Sequence, residues 1–248
     1  MFVFTEDANN PQPANPWQDY TPAPRSNSYD INGNLTAFGK LYAAWDNDAT
    51  VRTDKTYYIH NKNARKRLAK LDTDRSIEVR LQGWEEFDQP VDRIVSIGAF
   101  EAFKVERYPL FFEKAYKLLP DGGRMLLHTI LAHTQKFFRD NGIKVTISDL
   151  KFMQFIEKEI FPGGRLPSVP DVEKLAADSG FTLERVHLLQ PHYARTLDIW
   201  AENLEKNKDA ALAMQGQEVY DRYMHYLTGC ADFFHRGVTN VGQFTLAK

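Results

Sequence analysis

Runs of apolar residues predict a series of strands from residue 56 onward. Val, Ile, Leu and Tyr are concentrated in these runs, and several of the runs end at Gly or Pro. The run 93–98 (RIVSIG) is largely apolar, which is typical of a strand in the middle of a parallel sheet. Strands are predicted at 56–59, 77–81, 93–98, 124–130, 181–189 and 243–246.

Segments with helical periodicity lie between and after these strands. Ser148 has the side chain of a helix N-cap, and the sequence Phe-Pro-Gly-Gly at 161–164 marks a helix end. Helices are predicted at 63–71, 108–119, 148–160, 168–179, 195–214 and 218–234, and the apolar segment 35–45 is compatible with another.

The alternation of strands and helices indicates an α/β fold with a mostly parallel sheet, helices on both faces and a strand pair near the end. A helical insertion, or lid, is predicted at about 135–165. Residues 1–35 are rich in Asn, Pro, Asp and Ser, a composition that indicates an extended or partly disordered arm. We therefore expect a divergent segment at 1–55 and the main domain at 56–248.

Composition excludes few classes of function. The net charge is −2, which gives no basic surface of the kind that nucleic acids need. Aromatic residues make up 13% of the chain, and they either fill a core or surround an apolar ligand. Cys230 is the single cysteine, so an internal disulfide is impossible and a reducing cytoplasm is expected.

The chain shows neither a signal-peptide pattern nor the run of about 20 apolar residues that spans a membrane. We predict a cytoplasmic protein, with peripheral contact to a membrane left open. If a lipid is the substrate, the protein meets it from the aqueous side. No metal site is predicted.

Polar side chains follow the predicted strands, where ligands bind in open α/β sheets. Trp84 and Glu85 suit an adenine ring and its amino group, although a core Trp beside a solvated Glu fits equally well. Glu101 follows an apolar strand and needs a partner if it is buried. His128 is either that partner or a core histidine, and Tyr193 follows another strand toward the same edge.

The predicted helix at 148–160 is apolar on more than one face. Phe155 and Ile156 lie within it, and Phe161 follows it. Such a helix is either buried or lines a channel for an acyl chain, and periodicity does not separate the two.

Several long motifs resemble the mycolic-acid cyclopropane synthases, within the wider group of cyclopropane-fatty-acid synthases. The resemblance runs from about residue 60 to the C-terminus. It rests on VDRIVSIGAFE at 91–101, EIFPGGRLPS at 159–168, LQPHYARTL at 189–197, EVYDRYM at 218–224 and YLTGC at 226–230.

The resemblance implies a class I methyltransferase fold that uses S-adenosylmethionine to methylate a double bond in a long acyl chain, which an acyl carrier protein would present. Glu101, His128 and Tyr193 would surround a bicarbonate ion near the transferred methyl, and Ile97 would contribute backbone. A base in this position removes a proton so that the cyclopropane ring closes. The resemblance places the adenosyl group against Gly83, Trp84, Glu85 and Gly98, and the acyl chain against Phe155, Ile156, Phe161 and Leu166.

Two segments depart from the family pattern. The sequence at 101–105 (EAFKV) lacks two family histidines, and the position of the glycine-rich loop falls on 33–37 (GNLTA), with one glycine. Residues 55–60 also fail to match. Larger side chains cannot replace glycines where a ligand packs on bare backbone. We therefore expect the sheet to be incomplete at its first strand. Two hypotheses stay open: an active methyltransferase, and an inactive truncated paralogue that binds lipid or an acyl carrier or is a non-functional remnant.

Overall fold

The computed structural model describes residues 2–4 and 83–248. These residues belong to two compact units, one formed by 1–9 and 88–248 and the other by 10–87. The elements predicted at 35–45, 56–59, 63–71 and 77–81 lie outside the described residues. The domain boundary predicted after residue 55 also lies outside them and stays a prediction.

The larger unit contains a five-stranded sheet in the order β1-β2-β3-β5-β4. Strands β2 and β3 are parallel, whereas β1–β2, β3–β5 and β4–β5 are antiparallel. The predicted strand pair near the end is confirmed, but the described sheet is mixed rather than mostly parallel. Apolar runs indicate that strands are buried and do not fix their direction, which explains the difference. The strands are β1 (Phe2–Phe4), β2 (Arg93–Ile97), β3 (Arg124–Ala132), β4 (Thr182–Leu188) and β5 (Thr239–Ala247).

The outer edge of β2 is paired over three residues. Phe2 lies opposite Val95 and Phe4 opposite Arg93, so β1 covers the first three residues of β2. The carboxyl end of β2, at Ser96 and Ile97, extends past this short strand. A strand was not predicted at these first residues, because a three-residue Phe-Val-Phe run is too short to indicate one; their extended backbone agrees with the predicted extended arm.

Six α-helices are described, and several begin at other residues than predicted. The helix of the insertion begins at Ile147 and is capped by Thr146 rather than Ser148. Thr146 Oγ1 accepts from the Asp149 N–H at 3.2 Å, and Asp149 Oδ2 accepts from the Thr146 N–H at 2.7 Å. This reciprocal pair satisfies two backbone donors at the helix start. The helices are α1 (Tyr108–Leu118), α2 (Gln135–Asp140), α3 (Ile147–Phe155), α4 (Val169–Asp178), α5 (Gln190–Lys206) and α6 (Lys208–His235).

The gap predicted around 215–217 between the last two helices is confirmed as a break at Gly216. Helix α5 begins five residues before the predicted start, and α6 contains a break at Gly216, whose φ is +79°. Glycine is the residue that adopts this conformation without strain. Side chains from the two sides of this break meet, Glu205 with Tyr220 and Asp198 with His235, so the chain reverses near Gly216, as predicted.

Aromatic side chains pack α1 against the loop that follows β2. Phe100 is completely buried, stacks on Tyr108 with ring centroids 4.0 Å apart, and meets Phe112 edge-on at 5.7 Å. Phe112 in turn meets Phe181, directly before β4, edge-on with ring centroids 6.4 Å apart. This cluster fixes the backbone on both sides of Phe100 and thereby the position of the next residue, Glu101.

The predicted insertion is confirmed as a helical segment between β3 and α4. Helix α3 continues as a π-helix over Ile156–Ile160. Phe152 of α3 packs with Phe233 and Val238, at and beyond the end of α6. Among the described residues, no helix combines the length and apolar character needed to cross a membrane.

An ion pair ties the start of α3 to the end of α6. Arg236 Nη2 donates to Asp149 Oδ1 at 2.6 Å, and the Arg236 hydrogen bond holds the pKa of this carboxyl below its usual value. Because the pKa of Asp149 is lower in the folded chain than in the unfolded chain, ionised Asp149 stabilises the fold at pH values above its unfolded pKa of about 4. That stabilisation is lost as the pH falls through the folded pKa.

We expect Asp149→Asn to lower the free energy of unfolding by about 1 kcal/mol at pH 7, because Arg236 is one-third exposed and solvent screens the pair. The difference from the wild-type chain should shrink below about pH 4. Urea unfolding at several pH values measures both effects. Asp140→Asn is the control, since its pair with Lys136 lies on the surface; an equal loss there would contradict the assignment.

Candidate functional site

Glu101 lies in a short 3-10 turn, Phe100–Ala102, directly after β2. Its Oε1 accepts a hydrogen bond from the Ile130 backbone N–H at 2.5 Å. The turn therefore directs the carboxyl toward the neighbouring strand β3. Gly164, in the turn that ends the insertion, approaches the backbone of the same residue, since a Cβ added there would lie 3.7 Å from the Glu101 carbonyl oxygen.

The second oxygen of this carboxyl, Oε2, is buried and has no hydrogen bond of ordinary geometry among the described residues. Burial raises the pKa of Glu101, and the Ile130 N–H and the Thr129 side chain oppose that shift in part. Burying an unsatisfied polar atom costs free energy, and such atoms in native proteins point to a missing ligand or water. The unsatisfied Oε2 thus marks Glu101 as a candidate contact for a bound group.

His128 and Tyr193 form a hydrogen-bonded pair beside this strand end. The distance from His128 Nε2 to Tyr193 Oη is 2.8 Å. His128 is buried within β3, and burial lowers its pKa, so the imidazole is neutral near pH 7. Tyr193 lies in the first turn of α5 and stacks on Phe234 with ring centroids 5.8 Å apart.

Electrostatics connect Tyr193 with Glu101. Burial raises the pKa of Tyr193, and the negative charge of Glu101 raises it further. The three residues that were predicted to meet at the strand ends therefore do so. Glu101 is hydrogen-bonded to the β3 backbone, and His128 of β3 is hydrogen-bonded to Tyr193. Ile97 lies opposite His128 in the parallel register, with 53% of its side chain exposed.

Gln243 is a neighbour of His128 that sequence reasoning missed. It lies opposite His128 in the antiparallel pairing of β3 and β5, and its Nε2 is 3.2 Å from His128 Nδ1. Strand register determines this contact, and a single sequence does not reveal the register. The strand predicted at 243–246 was the nearest signal.

Gly98 leaves bare backbone at the carboxyl end of β2. Its φ is +59°, its N–H donates to the His128 carbonyl at 3.0 Å, and a Cβ added there would meet no described atom within 4 Å. Backbone without a side chain next to open space allows close approach of a ligand. This end of the sheet therefore fits a cofactor that packs against the strand ends.

The predicted adenine contacts lie in a separate 3-10 turn. Trp84 and Glu85 are both half-buried within the turn Trp84–Glu86, and a Cβ added to Gly83 would lie 2.8 Å from Glu85 Oε2. These residues belong to the second compact unit, so their role toward the cofactor stays a prediction. The departures at 33–37 and 55–60 lie outside the described residues.

The predicted acyl-channel residues have different surroundings. Phe155 and Ile156 are partly buried against the Phe152 cluster, and the Phe161 ring meets Tyr226 at 6.1 Å. Leu166 follows in the loop and is 37% exposed. Their apolar side chains suit an acyl chain, and the channel stays a prediction.

Comparison with known proteins places this geometry in a family. Residues 42–244 match the family described as Mycolic acid cyclopropane synthetase. The S-adenosylmethionine-dependent methyltransferase UmaA of Mycobacterium tuberculosis is 64% identical over 182 residues, covering 73% of this chain and 64% of that protein. Cyclopropane mycolic acid synthase 2 of Mycobacterium leprae is 50% identical over 196 residues, covering 76% of this chain and 64% of the relative.

A solved structure also matches. Mycolic acid cyclopropane synthase CmaA1, complexed with SAH and CTAB, superposes with a TM-score of 0.73 and 51% identity, over 77% of this chain and 67% of that one. The fold and its strand-end site thus define a class I methyltransferase-like protein. More narrowly, the chain belongs to the mycolic acid cyclopropane synthetase family. It spans about 64% of the length of the curated relatives described above.

Proposed function

We propose that this chain transfers a methyl group from S-adenosylmethionine to a double bond of a long acyl chain and closes a cyclopropane ring. The observation that carries the proposal is the convergence of Glu101, His128 and Tyr193 at one end of the sheet, with Glu101 Oε2 buried and unbonded among the described residues.

The cofactor would lie against Gly98 and the end of β2, with Gly83, Trp84 and Glu85 as the proposed adenosyl contacts. When bound, it supplies an electrophilic methyl group on a sulfonium. The relative complexed with SAH supports this choice, because SAH is the demethylated form of the same cofactor. Gly98 fits the role because its backbone faces open space.

The chain's own residues would manage the proton and the cation. Methyl transfer to an alkene leaves a carbocation on the acyl chain, and water must be excluded from it. Glu101, His128 and Tyr193 would hold a bicarbonate ion that accepts the proton lost when the ring closes. Burial raises the pKa of Glu101, and in its protonated form the carboxyl would donate a hydrogen bond to this anion.

The substrate side of the proposal rests on the insertion. Phe155, Ile156, Phe161 and Leu166 supply apolar surface for an acyl chain, and the relative holding CTAB, a detergent with a long alkyl chain, supports the choice of ligand. We extend the proposal to an acyl carrier protein that presents the chain, and to a cytoplasmic protein that meets its substrate from the aqueous side.

Isothermal titration with S-adenosylmethionine tests the cofactor half of the proposal. We expect saturable binding with a dissociation constant below about 1 mM, the upper range of ordinary enzyme substrates. Gly98→Val should weaken binding, because a β-branched residue is strained at positive φ and fills the open space. Gly142→Val is the matched control, since Gly142 also has positive φ and open surroundings but lies in the insertion.

Absence of binding at millimolar cofactor would refute the enzyme and support the inactive paralogue instead. Incubation with an unsaturated long-chain acyl substrate and labelled cofactor tests the second half. The product should gain one methylene unit and lose the alkene signal. Binding of acyl chains without any label transfer would leave lipid binding as the function.

A further inference from the structure

The imidazole of His128 is held between two polar side chains from different elements. Nε2 faces Tyr193 Oη at 2.8 Å, and Nδ1 faces Gln243 Nε2 at 3.2 Å. Both distances are ordinary for hydrogen bonds. A neutral imidazole carries one proton, so one nitrogen donates and the other accepts. The two bonds are therefore linked through the ring.

The amide of Gln243 decides which nitrogen of His128 carries the proton. An amide nitrogen only donates, so a donation to Nδ1 requires the proton of His128 to be on Nε2. The Nε2–H then donates to the oxygen of Tyr193. The phenol proton is left free to point away from His128, toward a ligand in the site.

The opposite orientation of the amide reverses the chain of donors. If the amide oxygen accepted from Nδ1–H, then Nε2 would accept the phenol proton, and Tyr193 would offer only lone pairs to a ligand. That arrangement would repel an anion. The orientation of the Gln243 amide thus determines, through His128, whether the Tyr193 hydroxyl donates or accepts a hydrogen bond toward a ligand.

We propose that Gln243 is a positioning residue that holds His128 in the Nε2–H tautomer, so that Tyr193 donates its hydroxyl proton to an anion beside Glu101. The inference rests on the proposed function for the identity of the reaction. Its structural basis is the strand register, which places Gln243 directly opposite His128.

Other ionisable groups surround this chain of bonds. His187 lies opposite Gln243 on its other side, in the β4–β5 pairing, and is exposed. Glu101 acts on the phenol of Tyr193 through its charge. Neither group hydrogen-bonds His128 among the described contacts, so the amide of Gln243 is the partner placed to select the tautomer.

Nitrogen NMR of the full chain, labelled at histidine, tests the inference without any activity assay. Protonated and bare imidazole nitrogens have well-separated shifts, and His128→Asn assigns the signals. We expect the wild-type chain to show a protonated Nε2 and a bare Nδ1 at neutral pH. Gln243→Glu should move the proton to Nδ1 or charge the ring, and should raise the pKa of His128, since a carboxylate accepts from the ring.

Gln135→Glu is the matched control, because it makes the same change at an exposed position at the start of α2. It should leave the His128 signals unchanged. A wild-type spectrum with the proton on Nδ1 would overturn the inference, as would a Gln243→Glu spectrum identical to wild type. Melting curves of both variants establish that they are folded.

Steady-state kinetics test whether Gln243 also affects catalysis. We expect Gln243→Glu to lower kcat about tenfold and to shift the pH profile, while KM for S-adenosylmethionine changes little. Unchanged kcat with the altered tautomer would refute the positioning role. If the wild-type chain neither binds cofactor nor turns over, the proposed function fails, and the NMR result still decides the tautomer.

Discussion

Glu101→Gln is expected to lower turnover by at least about 100-fold, the loss typical of a removed acid–base group. The amide keeps the size of the side chain, and its oxygen still accepts from the Ile130 N–H. It loses the ability to exchange a proton with the anion that Glu101 faces. Single-turnover label transfer at saturating cofactor measures the effect.

The same substitution should leave the fold as stable as before or more stable. Because the folded pKa of Glu101 is raised, ionisation is more costly in the folded chain than in the unfolded one. Wild-type stability therefore declines relative to the variant as the pH rises from the unfolded pKa, about 4.3, through the folded one. If Glu101→Gln gains stability and loses turnover, the Glu101 carboxyl serves the reaction and not the stability of the fold.

Glu106→Gln provides the control for this variant. Glu106 is exposed and lies five residues away in the same stretch of chain. The Glu106→Gln variant should show wild-type turnover and wild-type cofactor binding. Glu101→Gln with near wild-type turnover would contradict the assigned role, whereas loss of cofactor binding together with turnover would place Glu101 in binding rather than in proton transfer.

The central residues of the site were predictable because local sequence determines where strands end. Glu101 follows the apolar run of β2, His128 lies inside β3, and Tyr193 follows β4. Ligands collect at strand ends in such sheets, so these positions were expected to converge. The resemblance then implied their roles.

Features that depend on register or on reciprocal contacts were not predictable. Gln243 reaches His128 through the pairing of β5 with β3, and that pairing joins residues 115 positions apart. Thr146 caps α3 because Asp149 returns the bond, whereas Ser148 looked equally suitable from its type alone. Strand β1 forms because the edge of β2 needs partners, and three residues carry too little pattern to show it.

The second large effect is expected at Gly229, where α3 and α6 meet. A Cβ added to Gly229 would lie 2.2 Å from two ring carbons of Phe152. That ring is buried and meets Phe233 edge-on with centroids 5.0 Å apart, so it has little freedom to move. We expect Gly229→Ala to lower the free energy of unfolding by about 1–3 kcal/mol, as overpacked cores do.

Helix propensity alone predicts that Gly229→Ala raises the free energy of unfolding. In an exposed helix, Ala in place of Gly stabilises by about 1 kcal/mol. Urea unfolding of Gly229→Ala therefore decides between a contact and a propensity effect. Thr228→Ala, at the exposed neighbouring position, is the control and should change stability little. A stabilised Gly229→Ala would show that Phe152 does not pack on this glycine.

A double variant connects this contact with the site. Phe152→Leu removes the clashing ring edge, so Gly229→Ala should cost less in that background, with a coupling of about 0.5–3 kcal/mol. The insertion that carries Phe152 ends in the turn at Gly164, which lies against the Glu101 backbone. Displacement of α3 by the added methyl group should therefore reach the carboxyl. We expect Gly229→Ala to lose turnover below its melting temperature and the double variant to recover part of it; full turnover in Gly229→Ala would separate the packing of the insertion from the position of Glu101.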